Sequence, residues 1–360
     1  MKLLFKASFR SFLKSSSFLL VLMQCTFALA QNNLNSIFSV PTEPKKDAID
    51  TAYIKDISDK MIIKFNRDSK IDFYTIKTPS IPTVSILPNN LQNYSFGLDY
   101  KFIGLTIALP KSWHESSYQN YLKGKTTGVN INLSLFFNKW MQTINYNVIK
   151  GYYIPQSELL VPNWQEGVTP YYQLPNFKTQ KIGGSTSYIF NASKFSYRSF
   201  SQQTQIQKKS AGSFIPTLSY EYSQLTDEVA GFSEPSYKKN LSFTAYVGYQ
   251  YNWVIGKKLL FSGGIFPGIG RGFVKSSDPN NPPQINYLEN KLALNFNANL
   301  NYQWKKFFFG IQFSSLNSYI TEDESKINNT INYENIYLGY QFDAPKAIQK
   351  SVNWLEKKLF

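Results

Sequence analysis

The sequence predicts an all-β protein, an antiparallel transmembrane β-barrel of about 12 strands, with about 10 to 14 compatible with its turns. Three observations predict it. Apolar and polar residues alternate strictly over long segments, as at Val129, Ile131, Leu133, Leu135 and Phe137, and again at Leu292, Leu294, Phe296, Ala298, Leu300, Tyr302 and Trp304. A period of two belongs to strands, whose successive side chains point to opposite faces. The intervening positions, such as Asn130, Asn132, Asn295 and Asn297, are amides, Gly, Ser and Thr, where a sheet facing bulk water carries more Lys and Glu. Aromatics gather near turns, at Phe136, Phe137 and Trp140, at Trp253, and at Trp304 and Phe307 to Phe309, as interfacial girdles require. A soluble periplasmic β-sandwich binding protein is the competing architecture, because it alternates too. Strand length and the amide-rich polar face favour the barrel. Val129, Ile131, Leu133, Leu294, Phe296 and Leu300 are then expected to face lipid, and the asparagines the interior.

Composition excludes other classes. The 360 residues are 42% hydrophobic and 17% aromatic but only 17% charged, which excludes disorder. Beyond residue 30 no segment approaches the roughly 18 uncharged apolar residues of a spanning helix. The net charge of +15 falls by four, to +11, once Lys2, Lys6, Arg10 and Lys14 are removed with the signal. The excess is scattered lysine, which does not imply nucleic acid. It suits outer-membrane lipid and lipopolysaccharide phosphate. Those, with the barrel-assembly machinery during insertion, are the expected partners of a monomer.

Taken in order, residues 1–30 read as a signal peptide, with a basic start, an apolar stretch from Phe18 to Phe27, and cleavage between Ala30 and Gln31 after Ala28-Leu29-Ala30. Gln24 before Cys25 fits lipidation poorly, and cleavage removes the only cysteine, leaving no thiol chemistry. Residues 31–66 form a short N-terminal periplasmic segment, with a short helix expected from Tyr53-Ile54 to Phe65. Residues 67–343 form the outer-membrane barrel. Its short connections fall near Asp99–Lys101, Asn138–Lys139, Asn191–Lys194, Gly256–Lys258 and Trp304–Lys306. Its long ones fall near 110–126, 154–180, 224–239, 272–288 and 320–329, an alternation of tight periplasmic turns and long outer loops. Residues 195–223 are either one long excursion or three short ones. Pro345 ends the pattern. In 344–360, Ile348, Val352, Leu355 and Leu359 then fall at helical spacing, an amphipathic helix for the periplasmic mouth or the membrane surface.

No catalytic, cofactor-binding or metal constellation emerges. Gly124-Lys125-Thr126 lacks the preceding glycine of a phosphate loop and precedes a strand rather than a helix. Gly268, Gly270 and Gly272 share a strand face with Gly264, which implies lumenal packing rather than a dinucleotide fingerprint. His114, the single histidine, lies in a long loop beside Glu115 and Ser116, without a nucleophile motif. The run Glu322-Asp323-Glu324 lacks the spaced oxygen ligands of a calcium loop. In Gln207-Lys208-Lys209-Ser210-Ala211-Gly212-Ser213, a bend is expected near Gly212, and Lys208 and Lys209 are candidate anion contacts.

Tyr53-Ile54, Gly151-Tyr152-Tyr153, Tyr188-Ile189-Phe190-Asn191 followed by Lys194-Phe195-Ser196, and above all Gln207 to Ser213 resemble the domain-of-unknown-function 4421 family of exported bacterial proteins. The resemblance runs from about residue 50 to the C-terminal tail. Its most specific part is the Lys-Ser-Ala-Gly-Ser core at Lys209 to Ser213. Leu174-Pro175-Asn176 stands where an Arg-Pro-Asp-like step is expected. The resemblance implies an envelope β-barrel-like protein and supplies no catalytic residue. The functional expectation is a non-enzymatic outer-membrane barrel without cofactors, either a small-solute channel or a structural barrel. The alternative is a lipid-modifying hydrolase using His114 with a nearby serine.

Overall fold

The computed structural model describes residues 49–359 apart from 79–80, 90–92, 110–116, 228–234, 278–284 and 323–324. Its elements are β1 (Ile54–Asp56), β2 (Lys60–Thr78), β3 (Ile81–Ile86), β4 (Asn93–Tyr100), β5 (Ile103–Leu109), α1 (Ser117–Lys123), β6 (Thr127–Phe137), β7 (Trp140–Ile154) and β8 (Tyr172–Tyr188). There follow α2 (Tyr197–Ser201), β9 (Gln205–Gln207), β10 (Ala211–Phe214), β11 (Thr217–Asp227), β12 (Ser236–Tyr246), β13 (Tyr249–Ile255), β14 (Leu259–Ser277), β15 (Ile285–Trp304), β16 (Phe307–Glu322), β17 (Ser325–Asp343) and α3 (Lys346–Leu359). No helix among the described residues is long and apolar enough to cross a membrane.

Among the described residues fifteen strands share one antiparallel sheet, and β1 pairs with β9 in a separate two-stranded one. Most of the long strands pair with the long strand that precedes or follows them in sequence. The path runs from β12 through β11, β8, β7, β6, β5, β4, β2, β17 and β16 to β15, and β14 pairs with both β12 and β15, so the two ends of the path meet. The result is a barrel-like sheet. Besides the wall position shared by β3 and β4, two wall strands are each interrupted once. Pro216, which lacks a backbone donor, separates β10 from β11, and Val247-Gly248 separates β12 from β13; β10 then pairs β13 while β11 pairs β12. At the end carrying the long connections, β3 pairs with β2, and Leu87 exchanges backbone hydrogen bonds of 2.9 and 2.8 Å with Tyr153 of β7. There β2 reaches β7 through β3, bypassing β4, β5 and β6.

The opposite end carries the tight turns. Lys101, Asn138 and Lys305 take φ of 51°, 55° and 55°, the left-handed geometry that matches a two-residue hairpin to strand twist. One connection at this end is long. Residues 189–210 hold α2 and β9, so the stretch 195–223 is a helix, two short strands and the start of β11.

One face of the sheet is apolar and exposed. Ile269 (67%), Leu292 (62%), Ile336 (58%) and Ile311 (56%) are exposed on it, as are Leu294, Phe296 and Leu300. A soluble sandwich would bury such a face. Asn297, Asn299 and Asn301 of the same strand are buried on the other face. Leu133 departs from its expected place, because with Leu135 and Phe137 it packs in a cluster holding Met61, Tyr100, Phe102, Ile348 and Val352. This cluster seats α3 against the apolar face of β2, β4 and β6 at the turn end. A second correction concerns the N-terminal boundary. The expected helix up to Phe65 is instead β1 and the start of β2, and β2 begins at Lys60 rather than after residue 66, because Ile62, Lys64 and Asn66 alternate with Ile63, Phe65 and Arg67 and pair with β17.

Candidate functional site

The interior face of the sheet encloses residues 189–210 at the turn end. Ser196 starts α2 as its N-cap: its side chain accepts from the backbone N–H of Ser199 (3.0 Å) and donates to Gln205 Oε1 (2.6 Å). The side chain of Gln207 is the hub. Its Nε2 donates to the carbonyls of Lys194 (2.6 Å) and Lys209 (2.9 Å), while Oε1 accepts from the backbone N–H of Ser196 (2.8 Å) and from Asn252 Nδ2 (3.0 Å). All four hydrogen-bonding positions of that amide are filled. Asn252, an inward residue of β13, also donates to the Ser196 carbonyl (2.9 Å) and accepts from Ser262 of β14 (2.6 Å). On the opposite wall Lys64 of β2 donates to the Ser201 carbonyl (3.0 Å) and pairs with Asp99 of β4 at 2.8 Å, both side chains buried. The insert is thus tied to two sides of the sheet. Gly104 makes room for it, since a Cβ there would overlap Asp99 and Gln202.

An apolar layer completes the closure. Ile189 and Phe195 of the insert pack with Ala211, Ile215, Tyr246, Phe266 and Ala293. Burial pushes the Tyr197 phenol up to about 12, which keeps it neutral. Burial likewise lowers the pKa of Arg198, whose guanidinium donates to Thr204 Oγ1 (2.9 Å) and to the Lys101 carbonyl. The N-terminal stretch joins the same assembly through the pairing of β1 with β9.

Toward the loop end the interior holds charges that the expected amide-rich face did not include. Asp72 of β2 is fully buried; it accepts from Lys181 Nζ of β8 at 2.6 Å and from Asn329 Nδ2 of β17 at 2.8 Å. Tyr152 donates to or accepts from Thr179 at 2.6 Å beside them. Its position follows the bulge at Gly151, whose φ of +92° favours glycine. Lys238 of β12 pairs with Glu289 of β15 at 2.6 Å, and Asn240 donates to the same carboxylate at 2.8 Å. The bridge between β2 and β8 crosses the interior. Breaking one partner of such a buried pair costs about 3–5 kcal/mol.

The residues singled out in the sequence fall in different places. Ala30, Gln31 and His114 lie outside the described residues, as do Asp323 and Glu324. Lys208 donates to the Thr51 carbonyl (2.7 Å), and Lys209 and Lys194 each lie 5.3 Å from the centre of the Tyr53 ring. Both candidate anion contacts therefore hold the N-terminal stretch. The bend precedes Gly212, which lies within β10, facing Tyr251, with the Tyr249 and Tyr251 rings against it. Gly268, Gly270 and Gly272 pack against Tyr246, Thr244 and Asn240, the expected lumenal role. Among the described residues no group of three or more His, Cys, Asp and Glu could hold a metal ion. Sequence reasoning missed Asp72, Lys181, Lys64 and Asn252, whose only signal was polarity at inward positions.

Most of the family-like segments converge here, whereas Gly151-Tyr152-Tyr153 lies toward the loop end. Tyr53-Ile54, Asn191, Lys194 to Ser196 and Gln207 to Ser213 all belong to the insert or to what it touches, and Asn191 Nδ2 donates to the Gly212 carbonyl at 2.8 Å. Solved structures similar to this chain include the outer membrane protease OmpT from Escherichia coli (7% identity, 80% of this chain and 98% of that one, TM-score 0.39). Others are the translocator domain of the autotransporter NalP from Neisseria meningitidis (8%, 89% and 97%, TM-score 0.32) and Ail, the attachment invasion locus protein of Yersinia pestis (10%, 79% and 98%, TM-score 0.22). No curated protein matches the sequence. The model of the domain of unknown function DUF4421 matches residues 48–342, and the chain belongs to that family.

Proposed function

We propose that this chain is a non-enzymatic outer-membrane barrel whose polar lumen is a small-solute passage held shut by its own residues 189–210. Among the described residues fifteen strands share the sheet, and counting β3, β10 and β13 with the walls of β4, β11 and β12 leaves twelve wall positions in a ring that the β2–β17 pairing closes. The exposed apolar face meets lipid and the amide-rich face lines the lumen. The protein sits in the outer membrane as a monomer, surrounded by lipid and lipopolysaccharide, after insertion by the barrel-assembly machinery. Its tight turns and α3 lie on the periplasmic side.

The observation that carries the passage reading is the way the insert is held. Asn252 and Gln207 join it to β13, and Lys64 joins it to β2, through hydrogen bonds within a polar lumen. An amide-lined lumen is what the passage of small polar solutes requires. Planar-bilayer recording tests it. Wild type is expected to show rare or small steps. The double variant Gln207→Ala/Asn252→Ala, which releases the insert from its wall, is expected to raise step frequency and size. Silence from both proteins, each still showing heat-modifiable gel migration, would leave the structural barrel. His114→Ala is expected to leave conductance unchanged; ester hydrolysis of phospholipid or lipopolysaccharide that disappears with His114 would favour the hydrolase.

A further inference from the structure

Three pairs of lysines stand directly opposite each other across the ladders of the sheet: Lys77 with Lys326, Lys150 with Lys178, and Lys239 with Lys275. Each lies on the apolar outer face. Lys326 shares the face of Ile336 and Leu338, Lys150 that of Trp140, and Lys275 that of Ile269 and Phe273. All three pairs lie toward the loop end, spread around the sheet on β2/β17, β7/β8 and β12/β14. Like charges directly opposite on one face of a ladder repel. Among the described residues none of the six has a carboxylate at salt-bridge distance. Lys239 lies 4.6 Å from the centre of the Tyr237 ring.

We propose that these pairs form a girdle that binds the phosphate-bearing headgroups of outer-leaflet lipid. The inference rests on the membrane placement above, which puts the loop end at the outer leaflet. Cβ atoms about 5 Å apart across a ladder let two ammonium groups reach one phosphate, turning repulsion into a shared charge-assisted contact. Beside the Lys239–Lys275 pair the face provides room for an acyl chain. Arg271, with Ile269, Leu292, Tyr319 and Thr321, lines an open outward groove of about 510 Å³. Its apolar members are among the most exposed side chains of the protein.

The test compares the barrel without its signal segment in nanodiscs of phosphatidylcholine alone and of phosphatidylcholine with lipid A. Retained lipid is read by native mass spectrometry, and stability by the melting midpoint of the heat-modifiable form. Wild type is expected to retain lipid A and to melt higher in its presence. Each double variant, Lys77→Gln/Lys326→Gln, Lys150→Gln/Lys178→Gln or Lys239→Gln/Lys275→Gln, is expected to lose retention by on the order of tenfold. In phosphatidylcholine alone each is expected to melt at or above wild type, because the repulsion is gone; a merely structural role for the lysines would lower the midpoint. Equal lipid A retention by wild type and by a heat-modifiable variant lacking all three pairs overturns the girdle. So does an equal rise in midpoint with inorganic phosphate in phosphatidylcholine discs, which makes it a free-anion site. Wild type that never shows heat-modifiable migration fails the barrel reading itself, and the girdle falls with it.

Discussion

Phe296 and Asn297 are adjacent in β15, yet one is 43% exposed on the apolar face and the other 6% exposed on the polar one. A lysine at each position asks the same backbone to present the same charge to lipid or to the lumen. Phe296→Lys is expected to cost on the order of 2–4 kcal/mol and Asn297→Lys much less, read as shifts in urea unfolding midpoint in lipid vesicles. Equal cost would contradict the assignment of faces. This distinction was legible in the sequence because the period of two is local. The buried charges were not. Asp72 meets Lys181 across 109 residues, and an isolated Asp or Lys at an inward position looks the same in sequence whether it is paired or solvated. The same limit applied to Gln207, whose contacts come from Tyr53, Ser196, Lys194, Lys209 and Asn252. Its neighbours drew attention through their charge, and Lys208 and Lys209 turned out to grip Thr51 and Tyr53.

The tail shows how far element-level reasoning reaches. Ile348 and Val352 lie at helical spacing, and α3 forms where that spacing predicts it. Its docking was not readable, because the receiving surface is assembled from Met61, Tyr100, Phe102 and Leu135 on strands far apart in sequence. Leu135, and Leu133 packed against the same cluster, carry the alternation expected of lipid-facing residues and are covered by protein instead. The stretch before Phe65 failed for a related reason. A short strand entering a sheet has too few alternating residues to outweigh a mixed-charge, helix-compatible composition until its partner β17 is known. Val352→Asp places a carboxylate within the apolar cluster under α3 and is expected to cost on the order of 2–3 kcal/mol. The loss should be local. Hydrogen exchange is expected to rise across α3 while β15 to β17 keep their protection. Unchanged exchange in α3 would mean that Lys101 and Glu356, which also pair there, hold the helix without the apolar contact.

The closure of the sheet depends on its first and last long strands. β2 and β17 pair over their full lengths, from Lys60 opposite Asp343 to Lys77 opposite Lys326. This is the contact of greatest sequence separation in the sheet, so it has the largest loop-closure cost and is expected to form late in folding. It is also what turns a meander of hairpins into walls around the insert. A thiol pair can report on it because the only native cysteine, Cys25, lies in the expected signal segment. Phe65 and Leu338 stand directly opposite in register on the outer face, within the Cα separation that a disulfide accepts. In Phe65→Cys/Leu338→Cys, mild oxidation of the membrane-inserted protein is expected to form an intramolecular bond, visible as a mobility change on non-reducing gels. Phe309→Cys/Leu338→Cys serves as control, because those residues face each other within the β16–β17 hairpin whether or not the sheet closes. If the hairpin pair oxidises while Phe65→Cys/Leu338→Cys stays reduced, β2 and β17 are apart in the membrane. Lys64 and Asp99 would then leave the wall facing Asn252 open, and residues 189–210 would have no lumen to shut.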